Sequence, residues 1–261
     1  MPASSKAKST LRQLVNFDIK TYSSTHKEHK LPEAKIAGGK AFINIDQISL
    51  LGERAVLIGV DEVGRGCLAG PVVSAAVALP FCDLDKDLKK ALSQLNDSKK
   101  LAKEVREELS QILRARARFA IAQASAREID EINILNASLL SMHRAVSALL
   151  EELSLSFEQV LVLVDGNKKI KEARMKQLTV IKGDSQSASI ASASVIAKVY
   201  RDNHMYELAQ VYPHYGFDGH KGYPAISHRE AIRTHGPCAE HRMSFRLLPE
   251  AHSDEAEEVN K

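Results

Sequence analysis

The sequence predicts one α/β domain, a mixed β-sheet covered by helices, and three observations carry that prediction. Short apolar runs alternate with longer runs of helical spacing across the middle of the chain. At 261 residues and 44% hydrophobic, the chain can bury one large core with appendages. Two of the strand-like runs, "AVLIGVDE" and "QVLVLVDG", end in carboxylates, at the edge where open α/β sheets usually bind ligands.

"AVLIGV" (55–60) reads as a buried strand and "PVVSAAVAL" (71–79) as a second one, opened by a proline. "SKKLAKEVREELSQILRAR" (98–116) sets Leu101, Val105, Leu109 and Ile112 on one helical stripe, with Ser98 as a candidate cap. "RFAIAQASA" (118–126) is a third strand, "NASLLSMHRAVSALLEEL" (136–153) an amphipathic helix, and "QVLVLVDGN" (159–167) and "LTVIKG" (178–183) two further strands. A long helix rich in Ala and Ser follows over 184–210, with Asp184 or Ser185 expected to cap it. "YPAISHREAIRTHG" (223–236) is a short helix that starts near a proline and stops at Gly236.

The flanks differ in composition. Residues 1–54 carry nine Lys or Arg against five Asp or Glu, a basic arm expected to be partly disordered with at most a short element near 42–51. Residues 250–261 carry five acids and one lysine and read as an acidic, disordered tail. The domain in between spans 55–249. A net charge of +3 favours a nucleic-acid partner only weakly. Cys67, Cys82 and Cys238 make no CxxC pair or even disulfide framework, which suits a reducing compartment. The first residues lack an apolar leader core, and no run supplies the roughly 18 apolar residues of a membrane span. A cytoplasmic protein without a membrane partner is expected.

The chemistry concentrates in "VDEVGRGCLAGP", residues 60–71, where Asp61 and Glu62 end an apolar strand ahead of Gly64, Arg65 and Gly66. Burying an unpaired carboxylate costs several kcal/mol, so something positive is expected beside them. Asp165 ends another strand, and helical spacing puts Asp202 on an apolar stripe with Val195, Val199 and Tyr206. Any one of these acids is most simply a cap, a turn residue or half of an ion pair. Four together are a hard-oxygen set that suits Mg²⁺ or Mn²⁺.

"DEVGRGCLAGPVV", "NDSKKL", "LVDGN", "KGD" before "ASIASASVIAKVYRD", and "YGFDGHKGYPAISHREAIRTHGPCAEHRMSF" together resemble bacterial ribonuclease HII, the type 2 ribonuclease H, in order and from about Val56 to Leu247. Cys67 stands where that family more often has proline and Cys238 where it usually has serine. The resemblance implies a ribonuclease H-like fold, a mixed β-sheet flanked by helices with a helical C-terminal portion. It implies an endonuclease that cuts the RNA strand of RNA/DNA hybrids and nicks DNA at embedded ribonucleotides. The family's metal-site roles fall on Asp61, Glu62, Asp165 and Asp202, with two Mg²⁺ or Mn²⁺ ions acting in catalysis.

Asp61, leaving the central strand, is the choice for the bridging ligand. Consecutive strand residues point to opposite faces, so Glu62 can share the site only if the strand ends or bends there, which Val63 and Gly64 allow. Gly64, Arg65 and Gly66 beside the acids would present backbone groups to a ribose 2′-hydroxyl. In the family the tyrosine matching Tyr223 senses the sugar after the ribonucleotide, and an aromatic face stacks well on a deoxyribose. Lys99, Lys100, Lys182, Lys198 and Lys221 are candidate phosphate contacts. The histidines His214, His220, His228, His235 and His241 lack zinc-site spacing. A non-catalytic hybrid binder would need one acid replaced, and a resolvase or integrase would leave "GRG" and "KGYP" unexplained.

Overall fold

In the computed structural model, which describes residues 17–18, 36–37, 40–41, 56–80, 85–95, 101–172 and 174–249, the run Val56–Val63 becomes the central strand, β1. Strand β2 (Val72–Ala78) pairs antiparallel with it, and β3 (Arg118–Ala124) antiparallel with β2. On its other side β1 pairs parallel with β4 (Val160–Asp165), which pairs parallel with β5 (Lys176–Val180). The order β3-β2-β1-β4-β5 is the mixed sheet that the sequence predicts.

The two-residue period of the strands splits the core into two layers. Leu57, Val63, Val73, Ala75, Leu161 and Leu163 pack with α1 (Lys86–Gln94), α2 (Lys103–Arg116) and α4 (Ala188–Val211). Ile58, Val60, Ala76, Val162 and Val164 pack on the opposite face against α3 (Ala126–Leu153). At Gly59 a Cβ would fall 2.3 Å from the Ser189 carbonyl carbon, so α4 lies directly on β1 only because that side chain is missing. The last layer is a small cluster, Leu68, Met205, Phe217 and Ile232, that docks α5 (Ile226–His235) on α4.

Several boundaries differ from the expectation. Helix α1 was not foreseen, although Leu88, Ala91, Leu92 and Leu95 are buried at helical spacing within a Lys- and Asp-rich stretch and Asp85 Oδ1 caps it by accepting from Leu88 N at 2.7 Å. Helix α3 starts ten residues early on a Ser125–Glu128 capping box. Asn133, at φ 65°, then breaks it, and its side chain accepts from Asn136 N at 3.1 Å, restarting the helix where the pattern put its beginning. The cap of α4 is Ser187, which accepts from Ile190 N at 3.1 Å, rather than Asp184 or Ser185. A 3₁₀ turn at Gly183–Ser185 takes up those residues and delays the helix. Gly236 ends α5 at φ 74°. Ser98, residues 42–51 and the tail 250–261 lie outside the described residues.

Within the arm, Ile36–Ala37 pairs antiparallel with Lys40–Ala41. Phe17 packs on the α4-side core, and buried Asp18 accepts from Ser189 N at 2.9 Å and Ser189 Oγ at 2.8 Å, at the start of α4. Burial pushes the Asp18 carboxyl up to about 7, against the hydrogen bonds it accepts. A folded-state pKa above the unfolded value of 3.8 contributes stability that is complete below that value and is lost as pH rises through about 7. Asp18→Asn should therefore cut the fall in melting temperature between pH 5 and pH 8. Equal falls in both proteins would show that Asp18 does not titrate in this way. Among the described residues no helix is long and apolar enough to cross a membrane.

Candidate active site

The parallel pairing of Val60 with Val164 brings the next residues, Asp61 and Asp165, side by side at the ends of β1 and β4. By the alternation of each strand both belong to the face that α4 covers. Asp61 is only 6% exposed and takes hydrogen bonds from Glu62 N, at 2.7 Å, and the Ser194 hydroxyl of α4. Oδ1 of Asp165 accepts from Gly183 N at 2.7 Å. Strand β1 ends at Val63 and the chain bends at Gly64, φ 94°, the two residues at which the sequence allowed the break. Glu62 stays close: its Oε1 lies 3.3 Å from Arg65 Nη1, and Asp165 acts on it electrostatically.

Burial, and then the charges of Glu62 and Asp165, hold the Asp61 carboxyl well above the usual carboxylate range. Burial also raises Glu62, opposed by Arg65 and reinforced by Asp165. Three oxygen-only side chains that resist shared ionisation are a fit for a hard divalent cation, whose charge would let all of them ionise. Asp202 is held differently. It is buried on α4, with Lys198 Nζ at 2.5 Å and Arg106 Nη2 of α2 at 3.5 Å. Among the described residues no three His, Cys, Asp or Glu side chains already converge as a cage for one ion. The fold brings Asp61, Glu62 and Asp165 within electrostatic reach of one another without closing them into a cage, and leaves Asp202 ion-paired with two cations.

The turn after β1 rests on two buried arginines that sequence reasoning missed. Arg201 donates to the carbonyls of Pro71 (3.0 Å), Lys221 (2.9 Å) and Ala69 (3.1 Å). A Cβ on Gly64 would sit 2.2 Å from Arg201 Nε, so both its positive φ and this contact demand glycine. Arg242 donates to Gly64 O at 2.7 Å and Arg65 O at 3.0 Å. Arg65 and Gly66 are exposed, with open space where a Gly66 side chain would be. The only hints were an arginine beside Asp202 in an Ala- and Val-rich stripe, and another inside "HRMSF".

Tyr223 is half-buried, hydrogen-bonded to Cys67, with Lys198 Nζ 6.0 Å from its ring centroid. It therefore stands close to Asp202 and to the turn at once. Lys221 and Lys103 flank the Tyr206 ring at 3.9 and 4.7 Å, extending a basic strip from Lys198 and Arg106. Lys182 is exposed near Asp165, and Lys99 and Lys100 lie outside the described residues.

Fold and site define a class first. The layout is similar to solved ribonucleases of type 2: the ribonuclease HII of a complex with PCNA from Archaeoglobus fulgidus, 26% identical with a TM-score of 0.57, covers 76% of this chain and 99% of its own. The Bst ribonuclease HIII in complex with Mn²⁺, 20% identical with a TM-score of 0.58 over 86% of this chain and 79% of its own, shares the fold. The family model for ribonuclease HII matches residues 58–248. Ribonuclease HII of Fusobacterium nucleatum is 50% identical over 72% of this chain and 85% of its own length, and that of Chlorobium chlorochromatii 48% over 73% and 89%. The chain belongs to the ribonuclease HII family, and it is a hydrolase, a metal-dependent endonuclease that degrades RNA paired with DNA.

Proposed function

We propose that this enzyme, besides cutting the RNA strand of hybrids, nicks duplex DNA 5′ to embedded ribonucleotides and leaves 5′-phosphate and 3′-hydroxyl ends. The observation that carries this reading is the placement of Asp61 and Asp165 at adjoining strand ends, one residue past the Val60–Val164 pair and close to an open glycine backbone. Asp61, Glu62, Asp165 and Asp202 are the ligands we assign to two divalent ions, Mg²⁺ or Mn²⁺. Such ions supply an activated water and charge for the 3′ leaving oxygen. Residues 55–249 form the catalytic unit, with the arm 1–54 tethered through Phe17 and Asp18, the tail 250–261 outside it, and the cytoplasm as its place of work.

The chain's own residues divide the remaining work. Ser194 and Gly183 hold the carboxylates of Asp61 and Asp165 in place. Lys198 and Arg106, now on Asp202, stand where they can exchange that carboxylate for a backbone phosphate. Arg242 and Cys67 N already occupy the Gly64 carbonyl and Arg242 one lone pair of the Arg65 carbonyl, so a 2′-hydroxyl is left with the turn's N–H groups and the second lone pair of Arg65 O. Tyr223 then offers its ring to the next sugar.

A duplex DNA with one ribonucleotide, incubated with Mg²⁺, Mn²⁺ or EDTA, tests the reading. The expected products are cut 5′ to the ribonucleotide and vanish in EDTA. Cuts on its 3′ side, or cleavage of pure DNA, would contradict it. Tyr223→Ala should weaken nicking of the DNA–RNA–DNA substrate by roughly 5-fold to 150-fold, one stacking contact, and long-hybrid cleavage much less. Equal losses on both would mark Tyr223 as a packing residue.

A further inference from the structure

Three segments meet behind the turn that follows β1. Leu68 N donates to Gly222 O at 2.7 Å on one side of segment 68–70. On the other side Gly70 N donates to Glu240 O at 2.8 Å, and Arg242 N to Leu68 O at 2.9 Å. The remaining side, from the Tyr223 loop to segment 238–242, is closed by two buried histidines. His228 Nδ1 lies 2.9 Å from Tyr223 O, and its Nε2 lies 3.1 Å from His241 Nε2. His241 Nδ1 lies 2.9 Å from Cys238 N.

The two ends of this chain dictate its protons. The Cys238 N–H can only donate, so His241 Nδ1 accepts and that ring carries its proton on Nε2. This Nε2–H donates to His228 Nε2, which leaves the His228 proton on Nδ1. There it meets the Tyr223 carbonyl, which can only accept. Starting from the carbonyl gives the same assignment. His220 stacks on His228 at 4.2 Å between centroids, and its Nδ1 accepts from Gly222 N at 3.1 Å. Burial lowers all three rings, His228 to about 4, which keeps them neutral at neutral pH.

We propose that the His228–His241 pair is a positioning device: it fixes the backbone of Tyr223 against the Gly64–Gly66 turn and so sets the preference for a DNA–RNA–DNA junction over a long hybrid. Neither ring touches substrate. Both act through Tyr223, so the proposal rests on the reading of Tyr223 as the residue that meets the junction sugar.

Nitrogen-15 NMR of the histidine side chains in the full-length wild-type protein at neutral pH tests the relay alone. His228 should carry its proton on Nδ1 and His241 on Nε2. A His228 that is charged, or protonated on Nε2, overturns the proposal. Kinetics test the role. His228→Ala should lower the ratio of kcat/KM on a single-ribonucleotide duplex to that on a long hybrid by roughly two- to tenfold, one hydrogen bond's worth, with kcat on the hybrid nearly unchanged. His228→Asn, whose amide can still donate near the Nδ1 position, should restore most of that ratio. Equal loss on both substrates, or a failure of His228→Asn to rescue, would reduce the pair to packing. In a Tyr223→Ala background His228→Ala should change the ratio no further. A ratio that responds to Tyr223→Ala but not to His228→Ala defeats the relay alone. A ratio insensitive to Tyr223→Ala defeats the junction reading, and the proposed role with it.

Discussion

Asp61→Asn is expected to abolish hydrolysis, by about a thousandfold or more, and at the same time to raise the melting temperature of the metal-free protein. The loss follows from the proposal that Asp61, whose carboxyl feels both Glu62 and Asp165, is a ligand of the catalytic metal ions. The gain follows from the sign of the same shift. Burial and two neighbouring carboxylates raise the Asp61 pKa in the folded state, so its contribution to stability is complete below the unfolded value of 3.8 and lost as pH rises. Asparagine has nothing to ionise. In EDTA near pH 8 a rise of a few degrees is expected, and added Mg²⁺ should stabilise the wild type more than the variant. Hybrid binding should persist through Lys198, Arg106, Lys103 and Lys221. Turnover within a few-fold of wild type at saturating Mg²⁺, or equal Mg²⁺ stabilisation of both proteins, would remove Asp61 from the metal site.

Arg242→Met should destabilise the fold by about 3–5 kcal/mol and loosen sugar discrimination in whatever stays folded. The side chain is fully buried and donates to three carbonyls, of Gly64, Arg65 and Gly70, with the last taking bonds from both Nε and Nη2. Burial pulls its pKa down only to about 10, so the guanidinium stays charged at neutral pH. Methionine fills the space but leaves those carbonyls without their donor. Lysine should not rescue it, because a single ammonium cannot span the fork of acceptors. Thermal unfolding within a degree of wild type would show that the turn holds its shape without this arginine.

How much of this was legible depended on where each interaction runs. Strands β1, β2 and β4 were readable because their side chains are buried on both faces, which forces continuous apolar runs. The carboxylates at two of those ends stood out against that background, and so did the turn "GRG". Helix α1 was legible but not read: Leu88, Ala91, Leu92 and Leu95 keep helical spacing, and the Lys and Asp between them masked a run of only nine residues. The early start of α3 was hidden by Asn133, which breaks the helix inside the pattern. The cap of α4 was misplaced by two or three residues because a short 3₁₀ turn has no sequence signature of its own. Asp18 sat in a basic arm that looked featureless, and its bond to Ser189 spans 171 residues.

The sequence by itself determined which chemistry is present: two strand-end acid positions, a fourth acid on a helix, a glycine-rich turn and the ordered motifs of the ribonuclease HII family. Hydrophobic periodicity and residue type are local, so they survive in the string of letters. Only the tertiary structure decided which groups meet: Asp61 beside Asp165 across a parallel pairing, Asp202 under Lys198 and Arg106, Gly64 against Arg201, and His228 against His241. Those contacts are set by strand register and by the close approach of α4 at Gly59. Register and approach depend on how distant segments fill one core, which no local pattern encodes.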